Sequence, residues 1–194
     1  MTIYGTPGGS LDASASWASS KGAADYGRRG EELLGRKLNL IAAETGASVF
    51  HDLDDPAGSQ ANLDHIVLAG QKLLVVDAKV WKPAFYYTLG SRSYRGLLRR
   101  APAVDPHRFA GLVKSSHLLA KKTKTDLAGI VITAIPSSLL WRSPQDRAVH
   151  TWALNIPDVT VTGIQPTLRK ARRLKGEADR SAAAFIRSLV REDS

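Results

Sequence analysis

The sequence predicts an α/β domain with a central mixed sheet flanked by helices. Three observations carry that prediction. Apolar residues Leu34, Leu38 and Ile41 recur at helical spacing between Tyr26 and Thr45. Three consecutive runs, "ASVFHDL", "NLDHIVLAG" and "KLLVVDAKVW", then read as strands. A second helical run, "HRFAGLVKSSHLLAKKT", leads into the apolar strand "LAGIVITAI". The order helix, three strands, helix, strand is that of an α/β layer architecture. The middle strands are almost continuously hydrophobic, so helices are expected to cover both of their faces.

Each element follows from local chemistry. Residues 1–24 are rich in Gly, Ser and Ala and read as a flexible leader, with Trp17 expected to dock its indole on the body. The segment "GRRGEELLGRKLNLIAAETG" opens on glycines and acids and closes at Gly46, as helix start and stop signals do. "AGQK" between the second and third strands is short enough for a hairpin turn. Residues 82–104 show no clean period and read as a long insertion or loop. The helix after Pro106 carries Phe109, Leu112, Val113 and Ser116 along one face. "AVHTWALN" and "DVTVTG" are short strand candidates around a turn, and residues 165–194 read as basic helix broken near Gly176. The expected organisation is a leader over 1–24, one α/β domain over 25–164, and a helical segment over 165–194 packed on it.

Composition narrows the partners. A chain of 194 residues is long enough for one domain with a proper core. Its net charge of +9 and pI near 10.0 point to a polyanion, with nucleic acid ahead of a membrane surface. The absence of cysteine excludes disulfides, thiolate catalysis and Cys-ligated metals. No apolar stretch approaches the roughly 20 residues that span a bilayer, so no membrane partner is expected. The N-terminus has no charged start followed by an apolar run, so a cytoplasmic protein is expected.

The chemistry concentrates in "NLDHIVLAGQKLLVVDAKVW". Strand alternation puts Asp77 and Lys79 on one face and Ala78 on the other. Asp64 and Asp77 lie at nearly equal distances from the hairpin turn, so pairing of the two strands brings them together. Two close carboxylates repel and favour a divalent cation. Oxygen-only ligands suit Mg²⁺, with Mn²⁺ as a substitute, and Asp64 and Asp77 are the candidate ligands. A cation there activates water against a phosphodiester. Lys79 can position that water or stabilise the growing negative charge. The competing reading is a solvent-exposed Asp77–Lys79 ion pair of little consequence.

These residues also resemble a known family. "GRRGEELLGRKL", then "LDHIVL", then "LLVVDAKVW" looks like the nuclease-related domain branch of the PD-(D/E)XK nucleases. The matching positions are Gly30 and Glu31, Leu63, Asp64 and His65, and Asp77, Lys79 and Trp81. The resemblance is clear over residues 27 to 81 and weaker to about 135. It implies a restriction-endonuclease-like core in αβββαβ order, with Asp64 and Asp77 as metal ligands and Lys79 as the catalytic lysine. It further implies Glu31 as an additional acidic residue of the site. Glu31 stands one helical step from the buried face that Leu34 defines, whereas Glu32 falls further round towards solvent. Alternation turns His65 away from Asp64 into a buried role, and His51, His107, His117 and His150 lack ligand-like spacing.

Two basic stretches are candidates to hold the substrate. After Trp81, cations and aromatics interleave, with Lys82, Tyr86, Tyr87, Arg92, Arg95, Arg99 and Arg100 able to meet phosphates and bases. Arg169, Lys170, Arg172 and Arg173 form a second cluster on a helix. Neither contains a base-reading motif, so binding with little sequence specificity is expected. DNA is the expected partner, with RNA left open. The alternative on the same residues is a nuclease-like module that binds DNA without cutting it.

Overall fold

Alternation and helical spacing produce a three-layer arrangement, αβα, around one long sheet. The computed structural model describes residues 1–9, 21–59, 61–90, 92–96, 109–140 and 148–191. In chain order the first elements are β1 (Thr2–Tyr4), α1 (Lys21–Thr45), β2 (Ser48–Asp54), β3 (Asn62–Ala69) and β4 (Lys72–Trp81). They are followed by β5 (Ala84–Leu89), β6 (Arg92–Arg95), α2 (Ala110–Thr123), β7 (Asp126–Pro136) and α3 (Ser137–Leu140). The chain then runs through β8 (Val149–Ala153), β9 (Thr160–Thr162), α4 (Ile164–Arg172) and α5 (Arg180–Arg187). Trp17, Arg99 and Arg100 lie outside the described residues.

The main sheet has the strand order β1-β2-β3-β4-β7-β9. Strands β2, β3 and β4 form an antiparallel meander, while β1 joins β2 and β7 joins β4 in parallel. Alternate residues of the meander feed opposite faces. Val49, Val67, Leu74, Val76 and Val131 pack with Leu34, Leu38 and Ile41 of α1 and Leu168 of α4. Phe50, Ile66, Leu68, Leu73 and Val75 pack with Leu119 of α2 and Ile186 of α5. Both faces are therefore covered, which accounts for the hydrophobic runs in β3 and β4.

Several elements differ from the sequence reading. The leader is partly ordered: Thr2–Tyr4 pairs with Ser48–Phe50, and the Tyr4 ring stacks on Phe50 with centroids 4.8 Å apart. Pro7 lies so close to α1 that a Cβ on Gly35 would stand 2.4 Å from its Cγ. Helix α1 begins at Lys21, five residues ahead of the expected start, because the alanines there favour helix over the loop that the composition implied. Residues 82–104 are no plain loop, since β5 and β6 form a hairpin that β8 extends into a second sheet ordered β6-β5-β8. Strands β8 and β9, expected as neighbours around a turn, belong to different sheets. The buried face of α2 centres on Ser115, Ser116, Leu119, Ala120 and Thr123, which leaves Val113 only half-buried. The last segment does break, with Gly176 at φ +104° between α4 and α5.

Candidate active site

The β3–β4 hairpin brings Asp64, Asp77 and Lys79 together. Cross-strand pairing puts His65 opposite Val76, so Asp64 and Asp77 follow as the next facing positions where the ladder ends. Both aspartates are buried. The Lys79 Nζ lies 2.8 Å from Asp77 Oδ1 and 3.7 Å from Asp64 Oδ2. Asp64 Oδ2 also accepts a hydrogen bond from the backbone N–H of Ala78 at 2.7 Å. That bond fixes the Asp64 carboxylate across the strand that carries the other two groups.

Glu31 reaches the same locus from α1. Its helix can approach β4 because residue 30 is glycine; a Cβ there would stand 2.6 Å from Val80 Cγ2. The "GE" pair thus has a division of labour, with Gly30 allowing the contact and Glu31 using it. Glu31 is buried while Glu32 pairs with Arg28 at 2.9 Å on the outer surface. Burial first, and then the Asp64 carboxylate, push Glu31 up to about 10. Burial also raises Asp77, to about 7, against the pull of Lys79 and with further repulsion from Asp64. For Lys79 burial acts downward, but the carboxylates of Asp64 and Asp77 outweigh it and hold the ammonium above its usual range. It stays protonated at neutral pH.

Two buried oxygens of this cluster, Glu31 Oε2 and Asp77 Oδ2, have no hydrogen-bond partner among the described residues. Buried carboxylate oxygens left without a donor carry a desolvation cost. A hard cation satisfies such a donor set, and Mg²⁺ needs only one or two carboxylates besides its own waters. Among the described residues, no group of three or more His, Asp or Glu side chains stands ready as a metal cluster. The oxygens of Asp64 and Asp77 therefore match the donor type that a hydrated hard cation takes, without forming a full cage.

Asp52 is a neighbour of the site that the sequence reading did not single out. It breaks the alternation of β2 with φ +51° and lies buried, between the His51–His65 and Leu53–Leu63 pairs. Its charge is one of those that raise Glu31. A positive φ inside a strand leaves no pattern in sequence, although Asp tolerates it better than most residues.

His65 is fully buried and turned from Asp64, as alternation expects. Its Nδ1 lies 2.9 Å from Nδ1 of His51, whose Nε2 contacts Asn39 Oδ1 at 2.8 Å. Burial, with His65 beside it, pulls His51 down to about 3. Burial and the nearby Lys79 charge do the same to His65. Both rings are neutral, and the pair links α1 to the two strands behind the acids.

The candidate substrate-holding residues divide. Lys82 and Arg92 are exposed and Tyr87 is half-buried. Tyr86 faces inward instead, packing on Ile132 and Phe109 and stacking on Trp81 at 4.8 Å. Its hydroxyl donates to the Lys82 carbonyl at 2.9 Å. Arg95 pairs with Tyr86 across the β5–β6 ladder on that inner side. The second cluster is remote: Arg172 pairs with Glu44 at 2.8 Å, about 20 Å along α1 from Glu31 at 1.5 Å per residue. Arg169 and Arg173 are exposed there, and Lys170 lies over Gly129.

The sequence profile of the nuclease-related domain matches residues 26–131. That span runs from α1 through the meander and α2 into β7, and so includes all four acid and lysine positions. No curated protein and no solved structure matches the chain significantly.

Proposed function

The chain belongs to the nuclease-related domain family, and on that premise we propose that it is a metal-dependent nuclease hydrolysing DNA phosphodiester bonds with little sequence preference. The observation that carries this reading is the Asp64–Asp77–Lys79 triangle, with one unpartnered buried oxygen on Asp77 and another on the adjoining Glu31. Asp64 and Asp77 would hold Mg²⁺, or Mn²⁺ in its place. What the cation supplies when bound is a more acidic water and neutralised phosphate charge.

The remaining work falls to side chains of this chain. Lys79, protonated through its two carboxylates, stabilises negative charge that develops on the phosphate and is no general base. Asp64 is held in place by the Ala78 N–H. Glu31, pushed up to about 10, is a neutral acid before a cation enters and can give a proton or accept a contact at the edge of the site. The net charge of +9 draws a polyanionic backbone towards these groups. We place the protein in the cytoplasm, where a chain without cysteine loses nothing to reduction. Among the described residues no helix is long and apolar enough to cross a membrane.

A second reading is a nuclease-like module that binds DNA without cutting it. The 2.8 Å contact between Lys79 and Asp77 favours it, because the ammonium already satisfies one oxygen of a proposed ligand. Cleavage of labelled single- and double-stranded DNA with Mg²⁺, Mn²⁺ or EDTA separates the two. Metal-dependent cutting supports the nuclease; salt-sensitive binding without cutting under either metal supports the module.

A further inference from the structure

The second sheet carries an aromatic face that the catalytic chemistry does not use. On its outer side Tyr94, Tyr87 and Phe85 form a continuous row across β6 and β5. Tyr87 stacks on Tyr94 with centroids 5.4 Å apart and rings 24° from parallel. It stacks on Phe85 at 5.5 Å and 20°. Trp152 of β8 closes the row against Phe85 at 5.2 Å, tilted by 49°. Trp152 is 82% exposed, so most of its indole meets solvent. An aromatic side chain this exposed forgoes much of its burial energy, and with the half-buried Phe85, Tyr87 and Tyr94 beside it the row is a patch that a partner can cover.

Charge identifies the partner. Strands β5, β6 and β8 contain no acidic residue. Arg92, exposed, lies opposite Leu89 in the β5–β6 ladder, on the same outer side as Phe85 and Tyr87 by alternation. Aromatic rings beside an exposed guanidinium match bases and phosphates together, which is the chemistry of a stacking platform for single strands. A duplex keeps its bases stacked on each other and offers only its backbone to such a face.

Position ties this face to the proposed chemistry. Only Lys82 and Pro83 separate the end of β4 from β5, and Trp81 of β4 stacks on Tyr86 behind the outer row. The rings are packed against one another and need little ordering to receive a base.

We propose that Phe85, Tyr87, Tyr94 and Trp152, with Arg92, form a stacking platform for unpaired DNA, which delivers a single-stranded segment to the acid–lysine centre. The role as a feed to that centre rests on the nuclease reading; the binding itself does not. The test is therefore made in EDTA, where nothing is cut, by anisotropy of a labelled oligothymidylate about 12 nucleotides long and of a duplex of similar length. The platform predicts that Trp152→Ala and Tyr87→Ala each weaken single-strand binding about tenfold. It predicts that Trp152→Phe recovers most of the loss and that duplex binding moves little. Unchanged single-strand binding in well-folded Trp152→Ala overturns it, as does an equal loss for the duplex. A wild-type dimer that Trp152→Ala dissociates also overturns it, by assigning the face to a second copy of the chain. Failure of the nuclease reading shows up only in cleavage assays and leaves these binding results standing.

Discussion

The Asp64 carboxylate accepts a hydrogen bond from the backbone N–H of Ala78 at 2.7 Å, across the strand that carries Asp77 and Lys79. One side chain thus serves the fold and the site together. Asp64→Ala strands a buried N–H and is expected to cost about 1–3 kcal/mol of stability. Asp64→Asn keeps an acceptor oxygen and is expected to retain most of that stability while losing charge for a cation. Urea midpoints of the two variants in EDTA check the split. Equal stabilities would show that the bond to Ala78 contributes nothing net.

Glu31 sets a pH dependence. Its folded value, about 10, lies above the ordinary 4.5, so the fold binds a proton that the unfolded chain releases. Its contribution is complete below about pH 4.5 and is lost as pH rises towards 10. Asp77, raised from 3.8 to about 7, behaves alike over the lower part of that range. Metal-free stability is therefore expected to fall as pH rises across this range. Glu31→Gln removes its share and is expected to be more stable than wild type at about pH 8. Chemical denaturation in EDTA across that range tests this; parallel curves for the two proteins would contradict it.

Gly30 makes a steric prediction. Gly30→Ala drives a methyl to within 2.6 Å of Val80 Cγ2, so helix or strand must yield. Overpacking of this kind costs about 1–3 kcal/mol. Adding Val80→Ala is expected to return part of the loss, since it removes the clashing methyl. A double-mutant cycle in urea measures the coupling, and strict additivity would rule out the contact as the cause.

The two basic regions are expected to differ in salt dependence. Arg92 is free of acids on its strand, whereas Arg172 is held by Glu44 through contacts of 2.8 and 3.3 Å. Arg92→Ala is expected to reduce the slope of log K against log salt by about 0.7 for single-stranded DNA. Arg172→Ala leaves it nearly unchanged. Titrations at several salt concentrations measure both slopes, and the reverse order would move the interface to α4.

Much of the candidate site's geometry is legible in sequence because it rests on local rules. Alternation fixes Asp77 beside Lys79, and the short turn at Gly70 fixes Asp64 opposite them. Helical spacing likewise reads Leu34, Leu38 and Ile41 as one buried face, and all three are buried. What escapes depends on distant pairing. Thr2–Tyr4 is a strand only because β2 offers it an edge. The run "AFYYTL" hides its alternation, since aromatics occupy both faces: Tyr86 inward, Phe85 and Tyr87 outward. The His51–His65 contact and the approach of Asp52 to Glu31 arise from strand register and a kink, which no spacing in the chain announces.

We propose that Asp64, Asp77 and Lys79 form one metal-dependent phosphodiesterase centre. Its most direct test is single-turnover cleavage of labelled DNA by wild type, Asp77→Ala and Lys79→Ala in Mg²⁺, beside DNA binding and circular dichroism of each. The expected result is cutting by wild type that EDTA abolishes, and a loss of at least about a hundredfold in both variants with folding and much of the affinity retained. Well-folded variants that cut as fast as wild type would contradict it.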